Sequence, residues 1–418
     1  MIQIISQRPL PLQKFIAEFS TFFSKPLFIS FAIYISGLLL EIKRTNINSI
    51  VSKTPSASYQ KIQYFLSDSK WDSDNLNTHR LAMLQANPDT AASNRGVLII
   101  DDTSCKKSKD THNTQGVSFQ FSSSDNAIIN CNTVVFSAYA DSNSRYPVDI
   151  APYIPEEDPL CKSFQVTFKS KLELAEDLVN LAVLRNIPFS HVVFDNWYFS
   201  NDYIRFLHSK NFKWVSEVEK NRLIYLRGRW TKANELAKLI PSTKFNKTVT
   251  ITHSDGSTKT FFLFSFTSFI KGIKGKLKFI VSAESFKDNH PENARIFASN
   301  DLFQEPDFLI KKYARRFSIE HIFKDLKDNL AFDHFQVRSI KAIKRHWHLS
   351  ILAHSFLLIA KADSSIADAF DSKNIHSVTD ILHKIRTLNN IIAVDWISNH
   401  PAEFKKHAKL ADSFKIPA

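Results

Sequence analysis

Two short apolar segments, each ending in an aspartate, constrain the fold of this chain more than any other feature. Residues 97–100 precede Asp101 and Asp102, and residues 191–194 precede Asp195. Short runs rich in β-branched and aromatic residues predict buried strands of an α/β sheet. Because ligand sites in such sheets lie at the carboxyl ends of the strands, these aspartates mark a candidate site. An aspartate in this position can equally cap the next helix, so the pattern needs support from elsewhere in the chain.

A charged segment at residues 313–327 supplies that support. Its tyrosine, arginine, glutamate and lysine have the spacing YxxRxxxExxxxxxK. At about 100° per residue, these four side chains fall within roughly 60° of an ideal α-helix, beside an apolar sector that holds Ile319, Ile322 and Leu326. The pattern predicts one amphipathic helix that carries a carboxylate and cations at the edge of a core. Such a set suits a metal-binding carboxylate beside phosphate-binding cations, although an ordinary solvated helix face has the same pattern.

Together, the two strands and the helix resemble the catalytic signatures of DDE transposases from bacterial insertion sequences. The resemblance is to the superfamily named after insertion sequence four, whose third acidic residue lies in a YREK motif like that of residues 313–327. It covers roughly residues 55–360 and includes a longer second interval between the acidic residues, where this superfamily has a β-rich insertion. The resemblance implies an enzyme that cuts DNA at the ends of the element and joins the freed 3′-hydroxyl to target DNA.

The same resemblance implies roles for individual residues. Asp101, Asp195 and Glu320 are expected to be both the catalytic residues and the metal ligands. A set of oxygen ligands favours Mg²⁺, for which Mn²⁺ can substitute, over zinc. Asp102 is the alternative to Asp101 as the first ligand. The residues expected to contact DNA phosphates are Tyr313, Arg316, Lys324 and Lys327.

The expected fold class is α/β, with an RNase H-like mixed-sheet core, a β-rich insertion, and helical N- and C-terminal regions. Strands are predicted at 97–101, 117–121, 132–139, 190–195 and 212–217, and helices at 171–187 and 201–210. In an RNase H-like core the first and fourth of these strands are neighbours, which would bring Asp101 and Asp195 together. The expected regions are 1–92 (helical, DNA-binding), 93–220 (first part of the core), 221–300 (β-rich insertion), 301–361 (second part of the core with the catalytic helix) and 362–418 (helical).

Aromatic residues near these segments have open roles. Trp197 and Tyr198 follow Asp195 and could be either core residues or DNA-stacking residues. Within the expected insertion, Trp230 is a candidate for stacking on an extruded base, as some members of the resembled superfamily do. The insertion also contains a hairpin signal, in which residues alternate around Asp255-Gly256.

The composition agrees with a nucleic-acid partner. The chain has 54 Lys plus Arg against 41 Asp plus Glu, a formal net charge of +13 and a pI near 9.4. Such an excess of positive charge favours a polyanionic binding partner. The resemblance implies that this partner is double-stranded DNA. Three widely spaced cysteines indicate neither a disulfide framework nor a zinc site, and they fit a reducing cytoplasm. The resemblance implies that this cytoplasm is bacterial and that the protein is nucleoid-associated. The apolar segment 27–40 is short for a membrane span and predicts a buried helix. The sequence has no P-loop motif.

Two other functions stay open at the level of sequence. One is a transposase-derived DNA-binding protein that no longer cleaves, against which the complete acidic set argues. The other is a metal-dependent nuclease without strand transfer. Coupled cutting and joining predicts a homodimer that holds two DNA ends. Residues 362–418 are the candidate dimer contact, because apolar residues recur at helical spacing in 378–388.

Overall fold

The computed structural model describes residues 8–40, 45–54, 57–122, 125–252, 256–362 and 377–401. The chain divides into two compact units. The sheet unit consists of Ala92–Ser104 and Thr133–Ile322, and the helical unit consists of Met1–Ala91, Cys105–Asn132 and Phe323–Ala418. The three predicted catalytic carboxylates all lie within the sheet unit.

The strands form one large mixed sheet and two short hairpins. In chain order the strands are β1 (Val97–Lys106), β2 (Val117–Ser122), β3 (Ala127–Ala140), β4 (Arg145–Pro152), β5 (His191–Phe194), β6 (Trp214–Glu217), β7 (Leu223–Leu226), β8 (Arg229–Lys232), β9 (Lys247–Thr252), β10 (Thr258–Ser268), β11 (Leu277–Ala283), β12 (Ser285–Lys287), β13 (His290–Glu292) and β14 (Arg295–Ser299). Hydrogen-bonded neighbours in the sheet unit follow the order β4-β3-β1-β5-β6-β14-β11-β10-β9. In the helical unit, β2 pairs with the first residues of β3.

The core of this sheet has the RNase H-like arrangement. β1 and β5 are parallel neighbours, and β6 continues the parallel set beyond β5. On the other side of β1 lies β3, which pairs antiparallel with β4. The predicted adjacency of the first and fourth strands is therefore confirmed, and so is the predicted fold class. Strand β4 was not predicted from the sequence.

β1 and β5 are central because their apolar residues face away from water on both sides of the sheet. Residues 97–100 and 191–194 are all buried, as parallel strands covered on both faces require. The register pairs Ile100 with Phe194. Asp101 and Asp195 therefore directly follow the last positions at which these two parallel strands pair. β1 itself continues to Lys106, so the prediction that this strand ends at Asp101 was wrong.

The inserted β-strands extend the core sheet. β14 pairs antiparallel with β6, and β11, β10 and β9 follow in antiparallel order. The predicted hairpin is confirmed in its two strands, β9 and β10, whereas Asp255 of the predicted turn lies outside the described residues.

Helices cover the sheet and make up most of the helical unit. In chain order the α-helices are α1 (Leu10–Ala17), α2 (Lys25–Leu40), α3 (Ile47–Ser52), α4 (Tyr59–Ser67), α5 (Ser73–Ala86), α6 (Pro159–Lys162), α7 (Lys171–Leu184), α8 (Asn201–Ser209), α9 (Ala233–Lys238), α10 (Pro306–Ala314), α11 (Ser318–Lys324), α12 (Ile340–Ala362) and α13 (Val378–Asn399). The predicted helices at 171–187 and 201–210 correspond to α7 and α8. Each begins at a serine cap, Ser170 or Ser200, whose side chain accepts a backbone hydrogen bond.

The helical unit packs around α12, most of which is buried. Arg345 of this helix donates hydrogen bonds to backbone carbonyls that include Leu66 and Ser69, and its guanidinium lies over the Trp71 ring. Those bonds satisfy the buried guanidinium through backbone carbonyl oxygens. The predicted burial of residues 27–40 is confirmed for most of α2. Among the described residues, no helix is long and apolar enough to cross a membrane.

The charged segment at 313–327 departs from the predicted single α-helix. α10 ends at Ala314, a 3₁₀ turn covers Arg315–Phe317, α11 follows, and Asp325–Asn329 is a π-helical segment. The prediction of one uninterrupted helix was therefore wrong. The burial of both Tyr313 and Ile319 explains the departure. The interval between these residues is shorter than two ideal α-helical turns, about 7 residues. The tighter 3₁₀ turn between them keeps both side chains in the core.

Candidate active site

The candidate site begins in β1, just after its last pair with β5, where two consecutive aspartates have different partners. A carboxylate oxygen of Asp101 accepts a hydrogen bond from Nη1 of Arg316 at 3.0 Å. Asp102 instead accepts from Nζ of Lys171 at 2.9 Å and from the hydroxyl of Tyr198 at 2.9 Å. Successive side chains of a strand leave on opposite faces, so the two carboxylates enter different surroundings. The geometry favours Asp101 over Asp102 as the carboxylate that faces the charged helical segment.

The second aspartate lies in a tight turn after β5. One oxygen of Asp195 accepts hydrogen bonds from the backbone N–H groups of Trp197 and Tyr198, at 3.0 and 3.3 Å. These bonds hold the carboxylate in place at the strand end. Tyr198 is buried and therefore belongs to the core, whereas the Trp197 side chain is 53% exposed. The sequence left the roles of these two aromatic residues open, and the structure separates them by burial.

Arg316 joins the acidic residue of β1 to that of the helical segment. Its Nη1 donates to Asp101, and its Nη2 donates to a carboxylate oxygen of Glu320 at 2.8 Å. The arginine side chain is 12% exposed and that of Asp101 17%, whereas the side chain of Glu320 is 55% exposed. One guanidinium thus bridges two carboxylates whose residues lie far apart in the chain, in the fork geometry that arginine provides.

Burial and neighbouring charges raise the pKa values of Asp101 and Asp195. Burial, followed by the negative charge of Asp195, raises the pKa of Asp101 from its usual 3.8 to about 7, although Arg316 opposes the shift. Burial also raises the pKa of Asp195, while backbone N–H groups and Arg316 oppose that shift. Both shifts mean that the ionised carboxylates need more positive charge than the protein alone supplies. A divalent cation with oxygen ligands would supply it.

The donor set fits such a cation. Asp101, Asp195 and Glu320 offer only carboxylate oxygens, the ligands that Mg²⁺ and Mn²⁺ prefer. The raised pKa of Asp101 further implies that metal binding would release protons near neutral pH.

Tyr313 occupies a buried position behind the site. Its side chain is 3% exposed, and its hydroxyl donates to a carboxylate oxygen of Glu217 at 3.4 Å. Glu217 also accepts a pair of hydrogen bonds from Arg295, so a tyrosine, a carboxylate and an arginine form one cluster. The sequence analysis did not identify Glu217 and Arg295, because they belong to β6 and β14, strands that become neighbours only in the folded sheet. A phosphate contact by Tyr313 stays a prediction.

A cavity of about 630 Å³ opens beside Glu320. Its walls include Tyr313, Phe317 and Arg295 from the segments already described, and Phe261 and Lys259 from β10. The inserted strands therefore form part of the surroundings of the third carboxylate. No signal in the sequence indicated this wall, because it depends on how β10 continues the core sheet.

The two predicted lysine contacts lie in the helical unit. Lys324 is the last residue of α11 and is exposed. Lys327 lies in the π-helical segment, where its charge opposes the raised pKa of the buried Cys105 thiol and helps to lower the pKa of Asp125. Their contacts with DNA stay predictions.

Two residues that support the site were not identified as its partners from the sequence. Lys171 begins α7 and pairs with Asp102, and the hydroxyl of Tyr198 donates to the same carboxylate. Tyr198 lies three residues after Asp195, so the chain segment that carries the second acid also anchors the residue next to the first. A lysine at a helix start carries no signal of this role by itself.

The order of the sheet and the carboxylates at its edge define an RNase H-like protein of the nuclease and transposase class. A family model described as "DDE superfamily endonuclease" matches residues 22–236. A second family model, described as "Transposase DDE domain", matches residues 170–356. The first match covers more than half of the chain, and the chain belongs to the DDE superfamily of endonucleases and transposases.

Solved structures show more distant likeness. A piggyBac transposase synaptic complex with hairpin DNA is 12% identical, with a TM-score of 0.44, over 90% of this chain and 76% of that chain. The NurA nuclease from Sulfolobus solfataricus is 12% identical, with a TM-score of 0.26, over 63% of this chain and 95% of that chain. Both scores lie below 0.5, so the fold assignment rests on the strand order. No curated protein matches the chain.

Proposed function

We propose that this protein is the transposase of an insertion sequence of the superfamily named after insertion sequence four. It would cut DNA at the ends of the element and join the freed 3′-hydroxyl ends to target DNA. The family assignment supports DNA strand chemistry, and the YREK spacing of residues 313–327 supports this particular superfamily. The helical region 1–92 would then contact DNA, and residues 93–220 and 301–361 would form the catalytic core around the insertion 221–300.

The observation that carries this proposal is the bridge made by Arg316. It links a carboxylate of β1 to a carboxylate of α11, while Asp195 is close enough to raise the pKa of Asp101. A half-buried arginine that bridges two acids from separate parts of the chain, with a third acid nearby, argues against a merely solvated helix face. An inactive DNA-binding protein would have no need to keep carboxylates in so costly an arrangement.

The catalytic chemistry follows from the donor set. Asp101, Asp195 and Glu320 would hold the metal, Mg²⁺ with Mn²⁺ as a substitute, and two such ions activate an attacking oxygen and stabilise a leaving one at phosphorus. Asp195 is held by backbone N–H groups, which fixes the direction of its oxygens. Asp102, paired with Lys171 and Tyr198, would position the end of β1.

The cations of the helical segment would bind the DNA. Arg316 can exchange a carboxylate for a phosphate oxygen with the same fork of N–H groups. Lys324 and Lys327 would contact phosphates further along the duplex, and Tyr313 would donate to one. The active assembly would be a homodimer that holds two element ends, because cutting and joining must occur within one complex.

The test combines cleavage and binding in the same variants. Asp195→Asn and Glu320→Gln should abolish cleavage of a DNA end in Mg²⁺, while gel-shift affinity in EDTA persists, because each change removes a metal ligand and keeps the shape. Matched controls are Asp202→Asn, whose side chain is 78% exposed, and Glu235→Gln, also exposed. Near-normal cleavage by either active-site variant would refute the assignment of the triad.

A second readout separates strand transfer from simple hydrolysis. Pre-cut ends that carry a labelled 3′-hydroxyl should become joined to a plasmid target, because transposition consumes that hydroxyl as the nucleophile. A protein that cleaves ends but never yields the joined product is a nuclease on the same fold.

A further inference from the structure

Strand β2, in the helical unit, has an open edge and carries exposed apolar side chains. Within the described part of the chain, β3 is the only strand that pairs with β2, so one row of its backbone N–H and C=O groups faces away from the sheet. Phe119 and Phe121 lie on one face of the strand and are 55% and 63% exposed. Ile128, the cross-strand neighbour of Phe121 on β3, is 70% exposed. These three side chains form an apolar surface on the β2-β3 hairpin.

The sequence of β2 has none of the residues that usually keep an edge strand from pairing. Soluble proteins protect such edges with charged side chains, above all lysines, and with prolines. Residues 113–124 contain no charged residue and no proline, although the whole chain has a net charge of +13. At the end of the hairpin, the ammonium group of Lys106 is bound to Asp125 at 2.8 Å. Pairing of β2 with a second β2 therefore brings no like charges together.

The sequence of β2 is also symmetrical about Gln120. Residues 118–122 read SFQFS, which is the same in both directions. In a dimer with a twofold axis, residue i of one subunit contacts residue j of the other, and j contacts i. Two antiparallel β2 strands centred on Gln120 would place Phe119 opposite Phe121 of the partner subunit, twice, and Gln120 opposite itself. Aromatic cross-strand pairs stabilise a sheet, and two glutamine amides can hydrogen-bond to each other.

We propose that β2 is an interface between two copies of this chain, which pair edge to edge across a twofold axis at Gln120. The occupant is a second copy because the strand complements itself both in charge and in the order of its side chains. DNA is a poor occupant, since residues 113–124 offer no cation to its phosphates. Each subunit uses its open edge in the contact, so association ends at a dimer. This contact needs neither DNA nor metal and is separate from the paired-end contact predicted for residues 362–418.

The test measures self-association of the full chain in EDTA, without DNA, by sedimentation velocity over a range of protein concentrations. The wild type should form dimers. Phe119→Lys with Phe121→Lys should weaken the dimer about tenfold or more, because two aromatic pairs are lost and like charges face each other. The matched control is Phe164→Lys with Phe303→Lys, which replaces two equally exposed or more exposed rings by the same charges and should leave the dimer unchanged.

Two further variants test the register of the contact. In Phe119→Lys with Phe121→Glu, each lysine should face a glutamate of the partner subunit, so this variant should dimerise about tenfold more tightly than the double-lysine variant. Strands centred on another residue would not oppose these charges.

A disulfide provides a second readout of the same register. Gln120→Cys, made together with Cys161→Ser, should form an intersubunit disulfide, since paired positions bring two Cα atoms to within about 5.5 Å. The remaining cysteines, Cys105 and Cys131, are buried. Lys109→Cys in the same background places an exposed thiol outside the contact and should crosslink far more slowly.

Hydrogen exchange of the wild type needs no altered chain. Backbone amides of β2 should exchange more slowly at high protein concentration than at low concentration, because pairing protects the N–H groups of the open edge.

Several outcomes would overturn the proposal. A wild type that stays monomeric at tens of micromolar, equal association of the double-lysine variant and its control, or β2 amides that exchange independently of concentration would each do so. A double-lysine variant and a lysine-glutamate variant that associate equally would exclude the register centred on Gln120. If Ile391→Glu with Val394→Glu abolishes the DNA-free dimer while the β2 variants keep it, the contact belongs to α13 instead.

Discussion

Replacing Arg316 with Gln tests the central arrangement of the site through stability, without any need for catalysis. Removing one partner of a buried ion pair costs about 3 to 5 kcal/mol. Here Glu320 is half exposed and Asp101 can take up a proton, which limits the loss. The free energy of unfolding of the variant in EDTA should therefore fall by about 2 to 3 kcal/mol at pH 8.

The pH dependence of this loss has a defined sign. The pKa of Asp101 is about 7 in the folded protein, above its usual 3.8, and would rise further without Arg316. Below that pH the carboxyl is largely protonated and gains little from the arginine. As the pH rises through 7, the wild-type carboxylate ionises and the arginine stabilises it, so the cost of the substitution should grow between about pH 6 and pH 8.

Urea denaturation followed by tryptophan fluorescence would measure both effects. Arg315→Gln is the matched control, because Arg315 donates to the backbone carbonyl of Arg95. Millimolar Mg²⁺ should restore more stability to Arg316→Gln than it adds to the wild type, since the cation replaces the lost positive charge. A loss under about 0.5 kcal/mol, a loss that is independent of pH, or an equal loss in Arg315→Gln would refute the reasoning.

Three further predictions concern DNA binding, acid stability and assembly. Lys327→Ala should weaken binding to duplex ends and lower the salt slope by about 1, measured by titration at several salt concentrations; an unchanged slope would exclude a phosphate contact. Burial lowers the pKa of His191 from its usual 6.5 to about 4, so the free energy of unfolding should fall as the pH drops from 6.5 to 4, and His191→Gln should flatten that decline in a pH series of urea titrations. The predicted apolar face of α13 packs within the helical unit, against α2 and α12, and leaves Ile391 and Val394 exposed. Changing both residues to Glu should abolish the paired-end complex in a two-colour assay and preserve the binding of single ends. If paired ends persist in this variant, the dimer contact lies elsewhere.

Local chemistry in the sequence determined the central strands and the ends of the helices. Residues 97–100 and 191–194 are apolar without interruption, and a strand of that composition is stable only where both faces are covered. Asp195 follows the end of β5, whereas β1 continues through Asp101 and Asp102 to Lys106. Serines at 170 and 200 began the predicted helices for an equally local reason, since each satisfies a backbone N–H of the first turn.

Only the tertiary structure decided how the acids are used. The sequence favoured Asp101 and left Asp102 as an alternative, and the structure separates them because Arg316 contacts the first while Lys171 and Tyr198 contact the second. The prediction of one regular helix over residues 313–327 failed after Tyr313, because the chain there forms a 3₁₀ turn and a π-helical segment. Such choices depend on contacts between residues far apart in the chain, and local periodicity contains no information about which distant side chain arrives. The sequence therefore determined the central strands and the chemical type of the candidate site, whereas long-range packing decided the partners of each carboxylate and what surrounds them.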